Sequence, residues 1–422
     1  MLERIDDIDW GVLEHAYGPA QDVPATIRAL ASPDADEREK ARHTLYGTIF
    51  HQGTRYEATA HAVPFLLELL ADPATPERPD LAHLLALLAV GYDEQWLPGT
   101  FPVPLYRTRA VGGDALLRAA PPIVDEWADD DVDLDDDDDD DEEGDEDRYS
   151  WYESLSDEDA AALYSHVELA AYDAVRAGVP VFRSLLADDD PALRTAAAYA
   201  LAWFPEDAAG SVAALAPATV PSGDDTPSVL AAATALVALG LLGPDGLDPT
   251  VLDAALADDR ELLRWGAAVA LAELQGADAG REVVAELLTW AGGPTGERDD
   301  VPFLRGDIGG VAVLALRRLD DTYADVAFDA LLARLRSVSG MPAVTVLHEA
   351  LRHAWPDGGP PEGTPFAALT DPQQRLLRVL AGSPTTWRLG DHPGLFGNFT
   401  GLLASHALPR DPDEMQTYIS AN

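Results

Sequence analysis

The chain has no cysteine. That excludes a disulfide framework, a thiol nucleophile and any zinc site built on thiolates. Lysine is almost missing too: Lys40 is the only one among 28 basic residues, set against 75 acidic ones. The formal net charge of −47 argues against nucleic acid, whose phosphates must be met by cations, and against anionic membranes. It favours a protein or peptide partner with a basic face. Aromatics make up only 7% of the residues, so alanine and leucine supply most of the apolar side chains, as suits closely packed helices better than sheets. The longest apolar stretch, Leu230 to Gly243, is shorter than the roughly 20 residues a membrane span needs. The acidic N-terminus lacks the apolar core of a signal peptide, so a cytoplasmic location is expected. No glycine-rich phosphate loop follows a strand pattern, no G-x-S-x-G elbow occurs, and no cofactor is expected. Arginine in place of lysine, with abundant Ala, Gly, Pro and Asp, fits a GC-rich genome or a halophile.

What is present is a repeat. A leucine is followed eight positions later by arginine and seven later by another leucine, in four copies: Leu30–Arg38–Leu45, Leu70–Arg78–Leu85, Leu186–Arg194–Leu201 and Leu256–Arg264–Leu271. Composition alone gives on the order of one such match. Ala41, Ala197 and Ala267 share one inner offset. Degenerate copies start at 222 and 332. In each clear copy the first leucine ends a helix, an Asp- or Pro-containing turn follows, and the arginine sits in the first half of the next helix. A cation there opposes the helix dipole, so each arginine should have a compensating partner. Turn carboxylates such as Asp34 and Asp190 are the expected ones.

These hairpins resemble the Asp/Arg ladder of HEAT repeats and the phycobilisome-lyase-type HEAT-like family; the segment Leu185 to Ala197 is the closest match. The N-terminal stretch from Trp10 through Gly18, with HQGTRYEAT and AVPFLLELL, resembles HEAT proteins of actinomycetes. The resemblance implies an all-α chain, an α-solenoid of HEAT-like helical hairpins used as a binding scaffold.

The expected organisation is N-terminal repeats over 1–95, a connector over 96–155, central repeats over 156–356 and a C-terminal helical cap over 357–422. Gly53 is read as a helix end. The Pro-rich stretch 96–112 is read as extended, and Thr226 as a cap before Pro227. The run 129–147 holds seven consecutive aspartates, Asp135–Asp141, and is expected to be a disordered insertion.

Five of the ten histidines lie in the first 83 residues: His15, His43, His51, His61 and His83. None pairs with another at metal-ligand spacing on one helix, and no metal is assigned. His348-Glu349 followed by His353 misses the zincin spacing by one residue, and helical-repeat di-iron hydroxylases would need several such pairs. His51, Arg55, Tyr56 and His61 form the one polar-aromatic cluster that propensity leaves unexplained, and are the candidate partner contacts. The expected function is non-enzymatic: an interaction scaffold with a concave binding surface, for example an immunity or inhibitor protein. The alternative is an enzyme on a helical-repeat frame, a lyase or a metal-dependent oxygenase.

Overall fold

Aspartates cap several of the helix starts. The Asp34 carboxylate accepts the Asp36 N–H at 3.0 Å, Asp190 accepts from Ala192 at 2.9 Å, and Asp225 accepts from Ser228 at 3.0 Å. Each satisfies a first-turn donor that has no partner within the helix. Pro191 and Pro227 sit in the first two helical positions, where a missing N–H costs nothing. The cap before Pro227 is thus Asp225, one residue before the Thr226 expected from sequence.

The structure, a computed structural model, describes residues 2–123, 148–293, 298, 300–390 and 392–421. The acidic run 129–147 lies outside the described residues. The described chain is predominantly α-helical, with four strands of two residues each. No helix among the described residues is long and apolar enough to cross a membrane.

The chain divides into two compact units. The first comprises Met1–Trp96 and Thr100–Ala214. It opens with a hairpin of β1 (Glu14–His15) and β2 (Gly18–Pro19), then α1 (Val23–Ala29) and α2 (Ala35–Thr48). A second hairpin, β3 (Phe50–His51) and β4 (Thr54–Arg55), leads into α3 (Glu57–Ala71) and α4 (Arg78–Val90). There follow α5 (Val103–Arg109), α6 (Gly113–Ala119), α7 (Arg148–Ser154), α8 (Asp157–Arg176), α9 (Val179–Leu185) and α10 (Pro191–Leu201). The unit boundary falls inside α11 (Ala208–Ala218), within the stretch 156–356.

Three copies of the repeat lie here, on α1–α2, α3–α4 and α9–α10, each a helix–turn–helix with its arginine in the second helix. Helix α4 packs on both α8 and α10, so copies far apart in sequence are neighbours in space. Two expectations are corrected. Helix α2 ends at Thr48, and Gly53 turns a β-hairpin instead, with φ of +90° beside Gln52 at +52°. The stretch 96–112 contains α5, because Pro104 falls in the helix's first turn, where proline is tolerated.

The second unit comprises Leu215–Asn422 with Leu97–Gly99. Its helices are α12 (Thr226–Leu242), α13 (Thr250–Leu256), α14 (Glu261–Gln275), α15 (Arg281–Gly292), α16 (Ile308–Leu316), α17 (Ala324–Leu335), α18 (Gly340–Ala354), α19 (Asp371–Gly382), α20 (Gly397–Ala404) and α21 (Pro412–Ser420). The fourth repeat copy lies on α13–α14 and the degenerate copy at 332 on α17–α18. Helix α12 is buried at every position from Ser228 to Leu242, as an all-round apolar helix must be. It meets α14 at two glycines. A Cβ on Gly240 would lie 2.5 Å from the Ala270 Cα, and one on Gly266 2.7 Å from the Ala233 carbonyl oxygen. The two backbones approach closely only because these side chains are absent.

Candidate functional site

The sequence cluster at 51–61 splits once folded. Arg55 points inward and its side chain is only 3% exposed. Its Nη1 donates to the Gly53 carbonyl at 2.6 Å, and its Nη2 lies 2.8 Å from Glu168 Oε1 on α8. Gly91 makes room for it: a Cβ there would sit 2.5 Å from Arg55 Nη1. Burial pulls the Arg55 guanidinium below its ordinary pKa, against the opposing charge of Glu168. Tyr106 on α5 closes the same pocket, and burial together with Glu168 pushes its hydroxyl up to about 12. This arrangement anchors the β3–β4 hairpin and leaves Arg55 little surface to offer a partner. The Tyr56 backbone N–H donates to the Thr59 hydroxyl at 2.9 Å at the start of α3. His61 is exposed on α3.

His51 remains near the surface, and the fold gives it company that sequence spacing does not reveal. Its ring meets Tyr17 edge-on at 5.4 Å, and Tyr17 is 54% exposed. Tyr17 in turn meets His15, whose Nε2 lies 3.0 Å from Asp22. On the other side of the strand, Phe50 meets Tyr46 at 5.2 Å and Tyr92 at 5.4 Å. Beside His15, Glu14 lies 2.9 Å from Arg148 Nε and accepts the Tyr152 hydroxyl at 2.5 Å. Glu57, at the start of α3, also pairs with Arg148. Two carboxylates thus share one arginine. Burial raises the pKa of Glu57, offset in part by Arg148. Tyr152 stacks on Tyr164, which is 53% exposed. The result is a patch of tyrosines and histidines around a surplus of negative charge, held by two β-hairpins and the starts of α3 and α7. Such a surface can accept cations and pack against apolar or planar groups.

The repeat arginines take inner positions. Arg38 Nη1 donates to the Ser32 carbonyl at 2.9 Å, Arg194 Nη1 to Asp188 at 2.8 Å, and Arg264 Nη1 to Asp258 at 3.0 Å. Each reaches back six residues to the turn before its own helix. Arg78 Nε donates instead to Leu70, at 2.9 Å. A second link runs onward: Arg38 to Glu77 at 2.9 Å, Arg78 to Asp188 at 3.2 Å and Arg264 to Glu286 at 3.3 Å. The Arg78–Asp188 link joins the second and third copies across 110 residues of sequence. Asp34 and Asp190 serve as helix caps, so the ties made within a turn use backbone carbonyls in place of those two carboxylates.

The remaining histidine motif does not converge. His348 is 58% exposed and meets Glu349 at 3.2 Å, while His353 stacks on Phe328 at 4.3 Å. Glu349, His353, Arg317 and Arg352 line a cavity of about 140 Å³ beside α16, α17 and α18. Burial alone would raise the pKa of Glu349, but His348, Arg317 and Arg352 outweigh it and lower the value. Among the described residues, no three His, Asp or Glu side chains are arranged to hold a metal ion.

No family model matches the chain, and no curated protein matches it. Among solved structures, it is similar to the crystal structure of an engineered protein at 17% identity, over 96% of this chain and 90% of that one, with a TM-score of 0.29. A likeness this low carries no argument about fold or function.

Proposed function

We propose that this chain is a non-enzymatic interaction scaffold: an α-solenoid of HEAT-like hairpins that holds a protein or peptide partner through a basic face. The observation that carries the reading is the tyrosine patch of the first unit, where Tyr17 and Tyr164 stand exposed around two carboxylates that share Arg148. Tyrosine supplies a large, rigid contact area at little entropic cost and is enriched where interfaces concentrate their binding energy. The acidic field supplies steering toward a basic partner. The solenoid part of the reading is supported by arginine ties that run from one repeat copy to the next, Arg38 to Glu77 and Arg78 to Asp188.

A narrower version makes the chain a cytoplasmic immunity or inhibitor protein that neutralises a basic toxin by covering its cationic surface. Affinity capture on the immobilised full-length protein, at low and at high salt, tests the general reading. Basic proteins should be retained at low salt and released at high salt. Retention of only acidic or neutral proteins would overturn it.

A further inference from the structure

In a chain with 75 acidic and 28 basic residues, an arginine is rarely far from a carboxylate. In one groove of the second unit two arginines nevertheless make no ion pair among the described residues. It is an open groove of about 690 Å³ between α17 and α19, lined by Arg336, Arg375 and Arg378 with Asp329 as its one lining carboxylate, and Asp325 and Asp371 also act on Arg375. Asp329 is taken up by Arg375. Arg378 donates to Gln374 at 2.8 Å and lies over the Phe366 ring at 5.1 Å, which orients the guanidinium without neutralising it. Arg336 is exposed and makes no ion pair among the described residues. The groove also holds the hydroxyl residues Ser383 and Thr385 and the apolar side chains of Leu332, Val379 and Pro384.

We propose that this groove binds a phosphate monoester: the dianionic phosphoryl group between Arg336 and Arg378, its organic part against Pro384 and the narrow exposed edges of Leu332 and Val379. Three features carry the assignment. Guanidinium forks match phosphate oxygens in geometry and charge. A groove of several hundred Å³ has room for a small molecule. The mixture of cationic and apolar walls fits an ester better than a bare ion. The site is independent of the tyrosine patch, so either can fail without the other.

Calorimetric titration of the full-length protein with phenyl phosphate and with inorganic phosphate tests it. Phenyl phosphate should bind saturably and more tightly than inorganic phosphate. Arg336→Gln and Arg378→Gln should each raise its Kd by about tenfold or more, with unchanged thermal melts because both residues are exposed. Arg281→Gln, a charge-matched control on α15, should leave the Kd unchanged. No saturable binding, equal binding by all three variants, or equal affinity for the two probes would overturn the proposal.

Discussion

The tyrosine patch of the first unit and the arginine groove of the second handle charge in opposite ways. In the patch one arginine, Arg148, serves two carboxylates, Glu14 and Glu57, and negative charge is left over beside exposed rings. In the groove Asp329 pairs with Arg375, which Asp325 and Asp371 also approach, while Arg336 and Arg378 make no ion pair among the described residues. The total of −47 describes the first region and conceals the second. The sign of a site is set by which charges are spent on internal ties, and that depends on the fold.

The C-terminal end of helix α17 and its cap residue show the contrast within two residues. Arg334 is 2% exposed and pairs with the buried Asp307, whereas Arg336 opens into the groove. Positions two apart in a helix point to nearly opposite sides. Gly309 and Gly310 make the inner pair possible, because a Cβ on either would run into the Arg334 guanidinium or the Asp307 carboxylate.

Arg334→Leu should therefore have the largest effect. It strands a buried carboxylate and should cost about 3–5 kcal/mol, measured by denaturant unfolding, while Arg336→Gln should cost less than about 0.5 kcal/mol. Similar costs for the two would erase the distinction. Arg78→Ala removes a tie to both the Leu70 carbonyl and Asp188 and should cost about 1–3 kcal/mol. No shift in its melt would mean that the tie between the second and third copies contributes nothing.

A smaller effect is expected at Glu273, whose side chain is 6% exposed. Arg318 reaches one carboxylate oxygen at 2.9 Å, but the other has no hydrogen-bond partner. Burial outweighs the ion pair and raises its pKa to about 7. A carboxyl with a raised folded pKa keeps its proton where the unfolded chain has lost it. Stability therefore falls as pH rises from the ordinary carboxylate range toward about 7. Glu273→Gln should flatten that slope in melts taken across the window, and an unchanged slope would assign the pH dependence elsewhere.

Much of the helical order was legible in the sequence, since the Leu–Arg–Leu spacing marks four of the helical hairpins and Asp190-Pro191 marks a helix start. The Gln52-Gly53 turn was not. Both residues have positive φ, the backbone of a tight hairpin, but glutamine lacks the asparagine signature that usually announces one. Nor could spacing show that Arg38, Arg194 and Arg264 seek turn carbonyls, because carbonyls are present at every position and leave no mark in composition. The patch was half visible: His51 stood out, but Tyr17, Glu14, Arg148 and Tyr164 join it only through the fold. In the groove, Arg375 and Arg378 share a face of α19 at i,i+3 spacing, and only tertiary packing adds Arg336.

The most direct test of the scaffold reading is salt-dependent capture with two variants compared side by side, Tyr17→Ala/Tyr164→Ala and Arg336→Gln/Arg378→Gln. The expected result is that the tyrosine variant loses the basic proteins retained by the wild type at low salt, while the arginine variant keeps them. Undiminished capture by the tyrosine variant would contradict the account.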